Sequence, residues 1–243
     1  MIFSLIFFIA NWFIGKSLIQ LFNIELKIIS NVFAVVLGTV LSTLVIFLAA
    51  LFFGLNILTI IIAIFLLILC SILILKKKGI DLDFYELSIK KNKIEILFFT
   101  TIFIFLVIFF TNSIFQDKNT ITAGNRLVWT DWPIHIAITS SFSKGNNFPP
   151  QNPQYANQLI TYPFFSDFLS AILQTLGSSL KISLVLPAII LTFSSISILY
   201  YLGRLITNHS KIALLGVTIG IFWGGIGFLY FFGDILQSAH PLQ

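Results

Sequence analysis

Charge is what this sequence lacks most. Of 243 residues, 9% are Asp, Glu, Lys or Arg and 58% are hydrophobic, whereas a soluble domain carries roughly 25% charged residues. With a mean hydropathy of +1.02, the composition is that of a polytopic membrane protein. Cysteine is almost missing as well. The single Cys70 lies inside an apolar run, which excludes a disulfide framework and a thiolate metal cluster. The sequence holds no phosphate-binding P-loop, no GxSxG elbow and no HExxH helix, so ATP-driven, serine-hydrolase and zincin chemistry have no motif to rest on. The net charge of +5 does not point to nucleic acid, because the lysines gather in one short loop between apolar segments. That is a membrane-orientation pattern.

What is present is hydrocarbon in long runs. Seven apolar stretches, near 2–22, 31–53, 55–75, 95–114, 161–177, 182–202 and 211–232, approach the ~20 helical residues needed to cross a bilayer. The expected fold is therefore all-α, a polytopic transmembrane bundle of about seven spans. The first stretch, "MIFSLIFFIANWF", has neither a basic leader nor a small-residue cleavage site and reads as a retained helix. By role the chain divides into a three-helix membrane segment with a basic loop, 1–94, and a second membrane module, 95–243, with a loop over 115–160. Residues Lys76 to Lys93 hold six of the fourteen Lys and Arg, and basic loops stay cytoplasmic. The loop 115–160 and the N-terminus then face outside, as expected for a multi-pass protein of the plasma (inner) membrane. Strict alternation puts Arg204 and Lys211 outside too, against the rule, unless the fifth stretch dips in and returns. The glycines at 216, 220 and 224 form a seam that lets another helix approach closely.

The outer loop carries the polar chemistry. In "VWTDWPIHIAITSSFSKGNNFPP" (128–150), Thr130 or Asp131 suits a helix N-cap and Pro133 a first turn. A short juxtamembrane helix is expected from Pro133 to Phe142, flanked by Trp129 and Trp132 and ended by Gly145; tryptophan favours the lipid–water boundary. Between Lys144 and Asp167 stand no charged residues, seven Asn or Gln and two Tyr, Tyr155 and Tyr162. Such a neutral, aromatic, hydrogen-bonding surface suits a sugar better than an ion.

Asp131 and His135, four residues apart, share a helix face. A carboxylate there can act as general base toward a hydroxyl. If a phosphate leaves, it needs no proton, so one carboxylate suffices where hydrolytic glycosidases use two. Arg126 is the nearest cation for that phosphate. The plainer alternative is that Asp131 only caps the helix and His135 lies at the interface. Asp167, about one turn inside the fifth apolar stretch, is either an interfacial acid satisfied by Ser166, Ser170 or water, or a second polar group facing the same cavity as Asp131. An intramembrane acid would equally suit a transporter or lipid flippase.

The run from Asp131 through His135, Ala137, Gly145 and Pro149 into "LITYPFFSDFLSAIL" resembles the GT-C superfamily of integral-membrane glycosyltransferases, which includes protein O-mannosyltransferases and aminoarabinose transferases. The likeness covers roughly 122–232. It implies inverting transfer of a sugar from a polyprenyl-phosphate donor to an acceptor at the outer face, with Asp131 in the place of the catalytic acid. His135, Tyr162 and Asp167 would support it and Arg126 would bind phosphate. Trp132 stands where many members carry a second acid, so no cofactor is certain and a divalent metal stays open. Family members usually run to ten or more spans, and the tail "FFGDILQSAHPLQ" holds no closing helix. An N-terminal fragment, partnered by further helices of the same protein, is expected.

Overall fold

The computed structural model describes residues 2–22, 30–78, 93–116, 120–124, 131–155 and 157–222. Among them are eight helices and one two-stranded sheet. Five helices are long and apolar enough to cross a membrane: α1 (Ile2–Leu21), α2 (Ser30–Phe53), α3 (Ile57–Lys78), α4 (Lys93–Thr111) and α7 (Leu180–Thr207). The protein is an all-α membrane bundle. The chain falls into two compact units, 1–197 and 198–243.

In the first unit, α1 and α2 pack closely because two glycines stand at their crossing. A Cβ on Gly15 would lie 1.9 Å from the Ala34 carbonyl oxygen, and one on Gly38 would lie 1.7 Å from that of Asn11. Without a hydrophobic drive between helices in lipid, such backbone approach and a few hydrogen bonds supply the adhesion. Asn11 Nδ2 donates to Thr39 Oγ1 at 3.3 Å, Trp12 Nε1 to Asn31 Oδ1 at 3.1 Å and Lys16 Nζ to Ser30 Oγ at 2.7 Å. Ser17 Oγ donates to Ser71 Oγ of α3 at 2.9 Å. Helix α4, by contrast, buries only Ile102 and Leu106, as suits a helix turned largely to lipid.

The turn between α2 and α3 is built by Gly54, at φ +69°, and by Asn56, whose Oδ1 caps α3 at the Thr59 N–H, 2.9 Å away. Gly54 is required twice: its φ favours glycine, and a Cβ there would meet the Asn146 side chain at 2.4 Å. Asn146 Oδ1 accepts from Leu55 N at 3.1 Å. That bond fastens the stretch after α5 (Trp132–Ser143) to the α2–α3 turn. Ser4, near the start of α1, is hydrogen-bonded to Ser178, between α6 (Phe165–Thr175) and α7. One end of the bundle therefore collects the start of α1, the α2–α3 turn, the loop after α5 and the α6–α7 connection.

The expected fifth span, 161–177, is where sequence and structure part. The helix there, α6, has 11 residues, about 16 Å, against the ~30 Å of a hydrocarbon core. It starts with the Phe165 ring 5.2 Å from Phe47, six residues from the end of α2, and finishes beside Ser4. Both ends thus lie in one half of the bundle, and α6 does not traverse it. After its first turn α6 faces protein: 167–173 are all buried. Phe142 and Phe168 (ring centroids 5.3 Å apart), with Phe47, Phe148 and Phe164, form the aromatic centre of a core that α1, α2, α3, α5 and α6 share. Gly177, at φ +89°, closes α6.

Two further differences are small. Residues 114–123 include a short hairpin, β1 (Ile114–Gln116) antiparallel to β2 (Ile121–Ala123), whose Gln116 Oε1 accepts from Lys181 N at the start of α7, 2.9 Å away. In the second unit, α8 (Ser210–Phe222) follows α7, and Gly203 lets Ala213 approach to 3.4 Å from where a Cβ would stand. Among the described residues, a Cβ at Gly216 or Gly220 would meet nothing within 4 Å; Gly224 lies outside them.

Candidate functional site

The site is built by α5 and α6. Pro133 sits in the first turn of α5, where its missing N–H has no partner to lose. One face of α5 is apolar and buried, through Ile138 and Phe142. A second stripe is polar at four-residue spacing, His135, Thr139 and Ser143, and all three meet α6. Thr139 Oγ1 donates to the Asp167 carbonyl at 3.4 Å, and Ser143 Oγ to Gln174 Oε1 at 2.5 Å. His135 Nδ1 lies 2.9 Å from Asp167 Oδ1.

That last contact is the chemical centre. The Asp167 side chain is only 4% exposed and that of His135 is 28% exposed. A carboxylate oxygen only accepts, so Nδ1 carries the proton in this bond. The hydrogen bond to Asp167 raises the imidazole above the ordinary histidine value; burial opposes the rise, and the charges of Asp167 and then Asp131 add to it. The Tyr162 ring stands edge-on to the imidazole at 5.8 Å and 68°, and the Trp132 ring at 6.5 Å and 73°. Asp167 Oδ2 and Trp132 Nε1 are buried without a hydrogen-bond partner among the described residues.

Asp131 is placed differently from the expected cap. It precedes α5 in right-handed helical geometry (φ −87°, ψ −33°), makes no side-chain cap bond and is exposed. Capping needs the extended backbone region, from which the side chain reaches back to the N2 or N3 amide. The helical geometry removes that reach, and the Asp131 carbonyl instead accepts the His135 N–H at 3.4 Å. The capping role is therefore not taken.

Of the expected site residues, the structure brings together His135, Asp167 and Tyr162, and holds Asp131 one turn before His135. Arg126, the expected phosphate ligand, lies outside the described residues, as do Trp129 and Thr130. Ser170 does not satisfy Asp167; its Oγ returns to the Ser166 carbonyl at 3.2 Å. Thr139, Ser143 and Gln174 were not singled out from sequence, although a polar residue every four positions in an apolar helix is a readable signal.

Among the described residues no three His, Cys, Asp or Glu side chains come together, and His135 Nδ1 and Asp167 Oδ1 are bonded to each other.

The neutral stretch after α5 spends several amides on its own shape. Asn147 brackets Gln151, with Nδ2 donating to its carbonyl at 2.7 Å and Oδ1 accepting its N–H at 3.0 Å. Asn152 Oδ1 holds the Gln154 N–H at 2.9 Å. Tyr155 and Tyr162 remain exposed. Compared with models of known families, with curated proteins and with solved structures, the chain matches none, so its likeness to the GT-C glycosyltransferases rests on the quoted residues alone.

Proposed function

We propose that this chain is an integral-membrane glycosyltransferase that moves a sugar, with inversion, from a polyprenyl-phosphate donor to an acceptor at the outer membrane face. The observation that carries the reading is Asp131: an exposed carboxylate, released from capping, one turn before a histidine held by a buried acid. An exposed acid beside the membrane can take a proton from an acceptor hydroxyl while the phosphate leaves without one. The aromatic rings of Tyr155 and Tyr162 on the neutral stretch support a sugar as ligand. An apolar groove of about 370 Å³ between α1 and α3, lined by Phe3, Phe7, Ile57, Ile61 and Phe65 and reaching Leu176 beyond α6, supports a long hydrocarbon carrier. Arg126 is the proposed partner of the carrier phosphate.

The test is Asp131→Asn, which keeps volume and hydrogen bonding but removes the proton acceptor. Loss of a general base lowers the rate ~10²–10⁴-fold. A rate of transfer close to wild type in Asp131→Asn would overturn the assignment. A second reading, a proton-coupled transporter, is favoured by the burial and pairing of Asp167. It makes Asp167 essential and Asp131 dispensable, so Asp131→Asn set beside Asp167→Asn separates the two.

A further inference from the structure

The arrangement of α5 and α6 holds more acid–base machinery than a single-carboxylate transfer uses. His135 is fixed at Nδ1 by Asp167. Among the described residues the ring's hydrogen bond is the one at Nδ1, which leaves Nε2 for another partner, and the side chain is partly open to solvent. The tautomer is set by the bond the first nitrogen makes: with Nδ1–H donated to the carboxylate, neutral His135 presents Nε2 as a lone pair. This is the logic of a base oriented by a third group. The titratable groups acting on or touching the ring are Asp131, just before its own helix, Asp167 from α6 and Tyr162 from the stretch between them.

A carboxylate that has accepted a proton from a substrate must lose it before the next turnover. Asp131 and His135, at i and i+4, are neighbours on the helix surface. We propose that His135, positioned by Asp167, is the proton relay of the transfer and receives on Nε2 the proton that Asp131 takes from the acceptor. In the step itself, the acceptor oxygen forms a bond to the sugar carbon as its proton passes to the Asp131 carboxylate. The bond from that carbon to the phosphate oxygen breaks, and its electron pair goes to the phosphate. The proton then moves from Asp131 to Nε2, and the imidazolium keeps its Nδ1–H on Asp167 Oδ1 until Nε2 releases its proton to water. The inference rests on the transferase reading for its substrate, but the proton site can be tested without it.

The experiment has two arms on the full chain in detergent. The first follows the ¹⁵N-histidine signals with pH; there are three histidines, and His135→Gln assigns the one in question. Nδ1 is expected to stay protonated while Nε2 titrates, with the midpoint lowered in Asp167→Asn and, by less, in Asp131→Asn. An Nε2 that is protonated in the neutral form, or a midpoint unmoved by Asp131→Asn, would overturn the relay whatever the protein transfers. The second arm measures transfer from undecaprenyl-phosphate glucose. In His135→Gln the rate should fall ~10²-fold and the pH profile should lose its histidine limb, with partial recovery by added imidazole in His135→Gly. Transfer by His135→Gln with an unchanged pH profile would also overturn it. A wild-type chain that shows the expected titration but transfers no sugar from any polyprenyl-phosphate donor would instead remove the transferase reading and leave a proton-carrying site.

Discussion

Replacing Asp167 with Asn removes one charge from the α5–α6 contact and almost nothing else. The side chain is 4% exposed, and one oxygen is held at 2.9 Å by His135 while the other has no partner among the described residues. A hydrogen bond to a charged group is worth roughly 1.5–3 kcal/mol, and a neutral one about 1. Asn keeps the accepting oxygen, so the loss is about 1 kcal/mol, and its amide nitrogen takes the buried place of the unpartnered Oδ2. The pH dependence is more telling than the size. His135 is raised in the folded protein from an ordinary value of 6.5, so the folded state binds its proton more tightly than the unfolded state. The stabilisation is complete below that ordinary value and is lost as pH rises through the folded one. The thermal midpoint of the purified chain in detergent, followed by tryptophan fluorescence, should therefore fall as pH rises above 6.5, and the fall should flatten in Asp167→Asn. At about 1 kcal/mol, the difference near pH 6 is ~2–4 °C. The same slope in wild type and Asp167→Asn would show that the pair is not what holds the proton.

Two further outcomes follow from the packing of the first unit. Gly38→Ala places a Cβ 1.7 Å from the Asn11 carbonyl oxygen and must push α1 from α2, at ~1–3 kcal/mol; an unchanged unfolding midpoint in detergent would refute the close approach. Because α6 begins and ends in one half of the bundle, α7 starts on the side of the loop 115–160. In a Cys70→Ser background, cysteines at Gln154 and Ser179 should then label with an impermeant reagent from the same side. Labelling of Gln154 and Ser179 from opposite sides would refute the return of α6.

The long helices were legible because hydropathy over a window reports how much apolar surface a segment carries. It does not report what that surface faces. Residues 161–177 are apolar enough to resemble a span, yet Phe168, Leu169, Ile172 and Leu173 are buried against protein, and the helix that carries them is half the length a bilayer needs. Pro163 and an acid in the first turn were the local signs. The hairpin of Ile114–Gln116 and Ile121–Ala123 was missed because strands of three residues are too short to show a period. At the site, His135 and Asp167 each stood out as a polar residue in apolar surroundings. Their pairing, across 32 residues of sequence, depends on how α5 and α6 pack, which no spacing rule contains. Asp131 was readable as a helix start but not as an uncapped one, since the choice between extended and helical backbone at that position is made by the chain on either side.

The energetics of α5 against α6 bear on why a charged pair sits there at all. Ile138, Phe142, Phe168 and Ile172 already bury a continuous apolar contact, and Thr139 and Ser143 add two hydrogen bonds. A buried ion pair adds little to such an interface, because desolvation consumes most of the attraction, and apolar residues of similar volume often serve as well or better. An acid without a partner for its second oxygen is worse still as a fastener. Adhesion therefore does not account for Asp167. What the acid does supply is a fixed imidazole tautomer, on a histidine one turn from an exposed carboxylate. Proton handling is the role for which that geometry is suited, and it is shared by the transferase and the transporter. They differ in whether Asp131 or Asp167 fails first on substitution, and so in whether the proton arrives from a sugar acceptor or from the bulk.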